Sequence, residues 1–425
     1  MKHLILIILI FTIAIIDVHP QMMQLQTVLE NIDKNNPELQ MFDAQKEAFN
    51  AYAKGAKSWE PPQLGAGFFM SPYQTSLWKA NNSANANGMS NTFNGMGSFM
   101  IQGQQMIPNS AKQMANQQYM QSMSEVEVAN KNTAKNELFA KAKMGFYELV
   151  ILKKKLLVLG EQEQLMDFVI ETSKIRYPYQ QEKLGSIFKA KADLVELQNM
   201  RIELESEMEQ KRILINQMMN MDNNILFDID TTIQLAKYNS FPSDTTYLLS
   251  RRSDVASIQK NIAVSMYKQK FEKTRLKPDF GIQYAHMFSF GNNPNLFTLM
   301  GMVTIPLAPW SSKMNRANVN GLNFQIEAYQ KKKDAILIEA SGMINSMASK
   351  IISKQKQISN YQKSILPALD KNYKSSLLAY EQNSEDLFVV LDALEGLQMA
   401  RMELLNKTLE LLTLQVDYEK VIEQR

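Results

Sequence analysis

The sequence lacks the residues on which many metalloenzymes and disulfide-stabilised proteins depend. Its 425 residues include no cysteine and only three histidines. Thiolate catalysis and disulfide scaffolds are therefore excluded, and Cys/His zinc sites nearly so. Past residue 21 we find no second long apolar run, which argues against a helical membrane transporter.

An excess of charge of one sign is also absent. There are 46 Lys and Arg against 43 Asp and Glu, a net charge of +3. This small excess, spread along the chain, forms no basic face, so no nucleic-acid partner is expected. The chain has no Ser/His/Asp set, phosphate-binding glycine loop or metalloprotease helix motif, so we predict neither enzymatic activity nor a cofactor. Methionine, in contrast, is abundant, with 28 residues.

The first twenty residues predict a secretory signal peptide, residues 1–20. Lys2 precedes an apolar run over residues 4–16, interrupted only by Thr12. That run is shorter than the roughly 20 residues that a membrane-spanning helix needs. An uncleaved membrane anchor is the alternative. The mature protein is then not expected to cross a membrane as helices, whereas crossing as a β-barrel stays open.

From residue 21 onward, one order of elements occurs twice: a helix, a strand pair and long helices. The first repeat is predicted over residues 21–240, with strand pair 64–107 and long helices 109–220, after a helix from Leu25 to about Lys57. The second repeat is predicted over residues 241–425, with strand pair 280–307 and long helices 312–424. Each strand pair ends in Ile-Pro before a helix, as the missing N–H of proline favours. We therefore predict an internal duplication.

The predicted strands alternate between two kinds of side chain. In the second pair, Phe280, Ile282 and Tyr284 alternate with glycine, glutamine and alanine. The face without aromatic residues is predicted to contain six methionines: Met96, Met100, Met106, Met287, Met300 and Met302. A lipid-exposed barrel strand requires one such apolar face, but a half-buried strand of a soluble sheet gives the same alternation. The strands alone leave both interpretations open.

The long helices favour an extended, coiled-coil-like protein. Residues 109–176 would span about 100 Å if they formed one continuous helix. The last helix repeats apolar residues at three- and four-residue spacings, and these are Leu387, Leu391, Leu394, Met402, Leu405, Leu409, Leu412 and Val416. Bends or breaks are expected at Gly145, Gly160, Gly342 and Pro367.

Five short segments resemble the TolC-like outer-membrane factor family, and the resemblance covers nearly the whole mature chain. The segments are Asn36-Pro37-Glu38-Leu39, Arg252-Ser253-Asp254-Val255, Lys277-Pro278-Asp279-Phe280-Gly281, Ile305-Pro306-Leu307 with Lys313 and Ala317, and Leu366-Pro367 with Tyr380-Glu381-Gln382-Asn383 and Val390-Leu391-Asp392-Ala393. Each segment alone is weak evidence for the family, but the order and spacing of all five together are specific to it.

The resemblance implies a mainly α protein with membrane β-strands. The duplicated helix–strand–strand–long-helix-pair unit would form, in a homotrimer, a 12-stranded outer-membrane β-barrel continuous with a periplasmic α-helical coiled-coil tunnel. The barrel would lie in outer-membrane lipid, with the helical part in the periplasm. The resemblance also implies a passive duct that is opened by a periplasmic adaptor (membrane fusion) protein and fed by an inner-membrane resistance-nodulation-division pump.

The resemblance places two helical turns at the periplasmic mouth, where adaptor docking and gating are expected. The residues concerned are Tyr177, Pro178, Gln180, Tyr380, Asn383 and Asp392. Asn383 replaces the glycine that the family prefers, and asparagine tolerates the left-handed conformation that ends a helix. Gln180 occupies the matching position of the first half, so a different geometry is expected there. Asp392 would contribute to an acidic ring in a trimer, or would be a solvated surface aspartate with an intersubunit partner.

If the aromatic strand face meets lipid, the six strand methionines line the lumen. Thioethers favour Cu(I) and, by softness, Ag(I), which suggests a heavy-metal efflux duct of the copper/silver or cobalt/zinc/cadmium type. Methionine as a flexible gap-filler is the alternative, and no metal site is assigned. The function predicted is the outer-membrane channel of a tripartite efflux system for heavy-metal cations or drugs. A type I secretion duct, or a periplasmic coiled-coil adaptor or interaction protein without a pore, remains as an alternative.

Overall fold

The computed structural model describes residues 21–78, 95–232, 235–236, 238, 240–291, 293–306 and 308–424. The predicted signal peptide, residues 1–20, lies outside this part of the chain.

Helices dominate the described residues, and two strand pairs interrupt them. In chain order the elements are β1 Gln21–Met23, α1 Leu25–Asn35, α2 Pro37–Gly55, β2 Gln63–Phe69, β3 Ser98–Ile107, α3 Ser110–Arg176, α4 Leu184–Met218, β4 Phe227–Ile229, α5 Thr245–Arg251, α6 Ser253–Thr274, β5 Asp279–Ser289, β6 Leu296–Thr304, α7 Pro309–Asn360, α8 Leu366–Glu381 and α9 Leu387–Ile422. Short 3₁₀ turns lie at Thr75–Trp78 and Tyr177–Tyr179, and a π-helical turn at Tyr361–Ile365 joins α7 to α8.

The chain forms two compact units, each assembled from both predicted repeats. One unit consists of the described residues within 21–40, 134–248 and 340–424, and the other of the described residues within 41–133 and 249–339. The compact units therefore do not coincide with the predicted repeats, and the duplication itself stays a prediction.

The second unit contains a four-stranded antiparallel sheet in the order β2-β3-β5-β6. Both predicted strand pairs are present, and β3 pairs with β5, so that Ile107 lies opposite Phe280. Strand β3 ends at Ile107, before Pro108. Asn109 then caps α3, since its Oδ1 accepts the Ala111 N–H at 3.0 Å. In the same unit, α3 packs against α6 through the stacked rings of Tyr119 and Phe271.

The first unit has two apolar cores. One core surrounds the parallel pair β1–β4 and includes the fully buried Val28, Ile32 and Ile215. The other core joins α3, α4, α8 and α9, and it includes Leu387, Leu391 and Leu394 of the predicted coiled-coil seam. The seam is confirmed along α9, since Leu412 and Val416 are also buried and Met402, Leu405 and Leu409 are partly buried.

One expectation about the helices is wrong, and the expectation of bends or breaks at four positions holds only in part. The predicted helix Leu25–Lys57 is broken at Asn36, whose Oδ1 accepts the Glu38 N–H at 2.9 Å while its Nδ2 donates to the Met218 carbonyl at 2.9 Å. These two bonds hold Asn36 in an extended conformation before Pro37. Gly145, Gly160 and Gly342 do not break their helices, because α3 and α7 run through them. Pro367 alone adjoins an irregular turn, the π-helical one.

The expectation that no second long apolar run follows residue 21 also needs correction. Among the described residues, one helical stretch, Pro309–Glu381, is long and apolar enough to cross a membrane by length and composition. The stretch qualifies by length and composition only, and the core helix of a soluble protein can meet both criteria as well.

Candidate functional site: a two-faced sheet and two helical turns

The sheet of the second unit has one aromatic face and one face of methionine, glutamine and glycine, as predicted. Phe280, Ile282, Tyr284 and Phe288 of β5 are 43–52% exposed, whereas Gly281 and Ala285 on the opposite face are buried. The register extends the aromatic face across the sheet, since Phe99 lies opposite both Phe68 and Phe288. One face is therefore suited to an apolar environment and the other is mixed in polarity.

Methionines and glutamines from neighbouring strands meet on the mixed face. Gly281 lies between Met106 of β3 and Met302 of β6, and a Cβ at Gly281 would lie 2.6 Å from Met106 Sδ and 3.2 Å from Met302 Cε. The two methionine side chains thus occupy the space above this glycine. Met100 pairs with Met287 in the same way.

The polar part of the mixed face lies between these methionine pairs. The Gln283 Nε2 donates to Gln102 Oε1 at 3.2 Å across β5 and β3. Met300, which pairs with Gln283, is 46% exposed. The sheet therefore brings five of the six predicted methionines, Met100, Met106, Met287, Met300 and Met302, onto one face.

Met96 does not belong to a strand, contrary to the prediction. Strand β3 begins at Ser98, and Met96 lies between Gly95 and Gly97, whose φ angles are +80° and +100°. This backbone favours glycine and interrupts the two-residue alternation, so the alternation does not fix the face of Met96.

In the first unit, both predicted helical turns contain a left-handed residue, although Tyr177–Tyr179 form a 3₁₀ turn in the first and α8 stays α-helical through Glu381 in the second. Gln180 and Asn383 both have φ of 60°. Each N–H returns to the carbonyl three residues back, to Tyr177 and Tyr380 respectively, at 3.0 Å. The left-handed conformation expected for Asn383 is confirmed. The different geometry expected for the first turn is not found at Gln180, which adopts the left-handed conformation as well, but it is found in the 3₁₀ turn that precedes this residue.

The two turns contact each other through a set of side chains that we call the turn cluster: Ser173, Arg176, Glu182, Tyr380 and Asn383. Arg176 lies over the Tyr380 ring, with its guanidinium carbon 4.3 Å from the ring centroid. It donates to the Tyr380 carbonyl at 3.1 Å and also to Asn383 Oδ1. The Tyr380 hydroxyl donates to Glu182 Oε2 at 2.7 Å and lies 3.4 Å from Ser173 Oγ.

Burial and charge in the turn cluster change the pKa of the Tyr380 hydroxyl. Tyr380 is 3% exposed, and this burial, together with the Glu182 carboxylate, raises the pKa of its hydroxyl above the usual value. Tyr177, at the equivalent position of the first turn, is 44% exposed. The two tyrosines, although equivalent in sequence, therefore have different environments.

An ion pair also joins the two turns. Lys183 Nζ donates to Asp386 Oδ2 at 2.7 Å, and this bond raises the pKa of the Lys183 ammonium. Both residues directly precede a helix, α4 and α9 respectively. Neither was predicted, although the separation of 203 residues between Tyr177 and Tyr380 also aligns Lys183 with Asp386, two opposite charges at equivalent positions.

The remaining predicted site residues are exposed. Pro178 and Gln180 are exposed in the first turn, and Asp392 is exposed one turn into α9. Across the described part of the chain, no ion pair involves Asp392. No group of three or more His, Cys, Asp or Glu side chains among the described residues is placed to hold a metal ion.

Comparison with solved structures identifies the same fold over almost the whole chain. The chain is similar to CusC (TM-score 0.73, 13% identity, 94% of this chain and 92% of that chain). It is also similar to the outer membrane protein VceC of Vibrio cholerae (TM-score 0.71, 15% identity, 94% and 96%) and to the outer membrane channel CmeC of Campylobacter jejuni (TM-score 0.70, 17% identity, 94% and 85%).

Sequence comparisons give no such match: no protein-family model and no curated protein sequence matches the chain. At identities of 13–17% the structural likeness establishes the fold. The chain has the fold of these outer-membrane channels, and its resemblance to the TolC-like outer-membrane factors is thus confirmed at the level of the fold.

Proposed function

We propose that the protein is the outer-membrane channel of a tripartite efflux system, a passive duct from the periplasm to the outside. The observation that supports this most is the two-faced sheet within a fold shared with solved outer-membrane channels over 94% of the chain. A water-filled barrel requires lipid-facing apolar residues that alternate with polar lumen residues along every strand. We therefore assign the aromatic face to outer-membrane lipid and the mixed face to the lumen.

The edges of the sheet support a homotrimer. Within one chain β2 and β6 are the edge strands, each with one neighbour. In hydrocarbon an unpaired strand edge leaves backbone N–H and C=O groups without partners, so spanning sheets close into barrels. Three copies, as the resemblance implies, would pair β6 of one chain with β2 of the next and give twelve strands.

Exposed apolar side chains on the long helices fit the periplasmic tunnel. Phe324 and Ile338 of α7 are 72% and 70% exposed, and Phe188 and Ile202 of α4 are 59% and 63% exposed. A partner that covers these side chains would remove their apolar surface from water. Neighbouring copies and a periplasmic adaptor, itself bound to an inner-membrane resistance-nodulation-division pump, are the partners that we propose.

We assign adaptor docking and gating to the two helical turns. Tyr177, Pro178 and Gln180 offer an exposed surface in the first turn, and Tyr380 and Asn383 hold the second turn against it through Arg176.

Asp392 would form an acidic ring in the trimer, where three carboxylates attract cations. D392N is expected to alter cation block in planar bilayers, and an unchanged trace would contradict this role.

The cargo is proposed from the mixed sheet face. Its methionines favour soft cations such as Cu(I) and Ag(I), which is consistent with heavy-metal efflux, whereas a drug-efflux duct would use the same thioethers as apolar lining. Replacing Met100, Met106, Met300 and Met302 by Leu should lower copper or silver tolerance at unchanged protein level if the thioethers act on the cargo. Unchanged tolerance would leave the methionines as lining only.

The efflux function is tested by deletion and cross-linking. Cells without the protein should accumulate pump substrates, and re-expression should restore their export. A photo-cross-linking residue at Tyr179, 73% exposed in the first turn, should capture an adaptor, whereas the same residue at Trp59, 62% exposed outside the turns, should not. Capture of an exported polypeptide and its transporter, with no effect on small molecules, would instead favour a type I secretion duct. A soluble periplasmic protein would favour the adaptor alternative.

A further inference from the structure

A cavity of about 440 Å³ lies in the first unit between α3, α4 and α9. Four methionines from these three helices line it: Met166, Met200, Met399 and Met402. They lie at different depths, since Met166 is 4% exposed, Met402 is partly buried, and Met200 and Met399 are 37% and 65% exposed. We call this feature the methionine groove.

The groove borders the apolar core of α3, α4, α8 and α9, since Met166, Leu197 and Leu391 belong to that core and Met402 packs against it, but the groove is not wholly apolar. Leu197 and Leu391 close its floor, but its walls contain the carboxylates of Asp193, Glu196 and Glu395. Asp193 pairs with Lys189 at 3.2 Å, the one basic residue of the lining. Together with Glu403, the lining has four acidic side chains and one basic side chain, so its net charge attracts cations.

The carboxylates differ in how they are engaged. Glu403 accepts hydrogen bonds from Lys407 and Asn406, and the Lys407 bond lowers its pKa, so that carboxylate is committed to its own helix. Glu196 and Glu395 are exposed at the rim. Apart from the amide groups of Gln162, Gln398 and Asn406, the uncharged ligands that line the groove are therefore the thioether sulfurs.

We propose that the methionine groove binds a soft monovalent metal ion, Cu(I) or Ag(I), through thioether sulfurs. Soft thioethers select Cu(I), whereas carboxylates, carbonyls and water suit hard cations. Met399 and Met402 are three residues apart on α9 and so project from the same helix face. Met200 approaches from α4, and the flexible side chains of all three allow the sulfurs to converge. The rim carboxylates concentrate cations without supplying ligands.

This site is separate from the sheet methionines, and it does not depend on the proposed duct function because binding is measured on the purified protein. The experiment is an anaerobic Cu(I) titration of the full-length protein in detergent against a chromophoric Cu(I) chelator. The groove variant is Met200→Leu, Met399→Leu and Met402→Leu, which preserves side-chain volume approximately. The matched control replaces three exposed methionines on other helices: Met41→Leu, Met266→Leu and Met314→Leu.

The expected result is one tight Cu(I) equivalent per chain in the wild type and in the control, with an affinity loss of at least about tenfold in the groove variant. Zn²⁺ should not compete for it. Identical binding by the groove variant would overturn the proposal, as would binding that falls equally in both variants or competition by Zn²⁺. Loss of adaptor capture by the groove variant with unchanged Cu(I) binding would show a helix-docking groove instead. Unchanged far-UV circular dichroism establishes that the variants are folded.

Discussion

Removing the Tyr380 hydroxyl should loosen the contact between the two helical turns by a predictable amount. Its bond to Glu182 is 2.7 Å long and ends on a carboxylate. Hydrogen bonds to charged groups contribute about 1.5–3 kcal/mol. Glu182 is only partly buried, so water replaces part of the lost bond, and we expect a cost near the lower limit, about 1.5 kcal/mol. The Arg176 contact with the ring should survive in Y380F.

A cost of this size should increase the local opening of the turns about tenfold. Hydrogen exchange of peptides covering residues 173–188 and 376–392 measures that opening. The matched control is Y177F at the equivalent, exposed position, which should leave exchange unchanged. Equal effects of Y380F and Y177F, or no effect of either, would refute the role that we assign to the turn cluster.

We also predict that the contact between the two helical turns weakens at alkaline pH, when the Tyr380 hydroxyl loses its proton. Because the folded-state pKa of Tyr380 is raised above its ordinary value of 10.0, its contribution is present below that value and is lost as the pH rises through the folded-state pKa. Turn exchange in the wild type should therefore accelerate above about pH 10, and Y380F should lack this alkaline step.

Three further predictions concern the first unit. Reversing either charge, K183D or D386K, should speed exchange in the turns by placing like charges together, and the double reversal should restore it. Q180G should raise thermal stability by about 1 kcal/mol, since glycine removes the cost of a left-handed residue with φ of 60°. Lys153 donates to Asp228 at 2.5 Å and lowers the pKa of Asp228, so this pair stabilises the fold above the unfolded-state pKa of 3.8 and is lost as the pH falls through the lower folded-state value. D228N should therefore flatten the acid limb of the stability curve, by under about 1 kcal/mol because the pair is partly exposed.

The strands and their faces could be predicted from the sequence because strand geometry has a strict two-residue period. Phe280, Ile282 and Tyr284 follow that period without interruption, and the structure exposes all three on one face. Met96 fits the same count, but the positive φ angles of Gly95 and Gly97 break the period before the strand begins. Local backbone conformation, and not composition, decides its position.

The helical turns were located by resemblance, but their contacts depend on residues far apart in sequence. Nothing local to Arg176 indicates that it donates to the Tyr380 carbonyl 204 residues later. The pairing of Lys183 with Asp386 has a signal, since the two occupy equivalent positions of the two halves. The break at Asn36 likewise depends on the distant Met218 carbonyl, which a local helical pattern does not contain.

The most direct test of the channel assignment is where the mature protein fractionates and how many copies the particle contains. Membranes are separated on a density gradient, and the detergent-extracted protein is then examined by native mass spectrometry. The proposed function predicts an outer-membrane protein whose particle has the mass of three chains and dissociates on heating. A soluble single chain would contradict it, because the aromatic sheet face and the two sheet edges would then have to be satisfied without lipid or neighbouring copies.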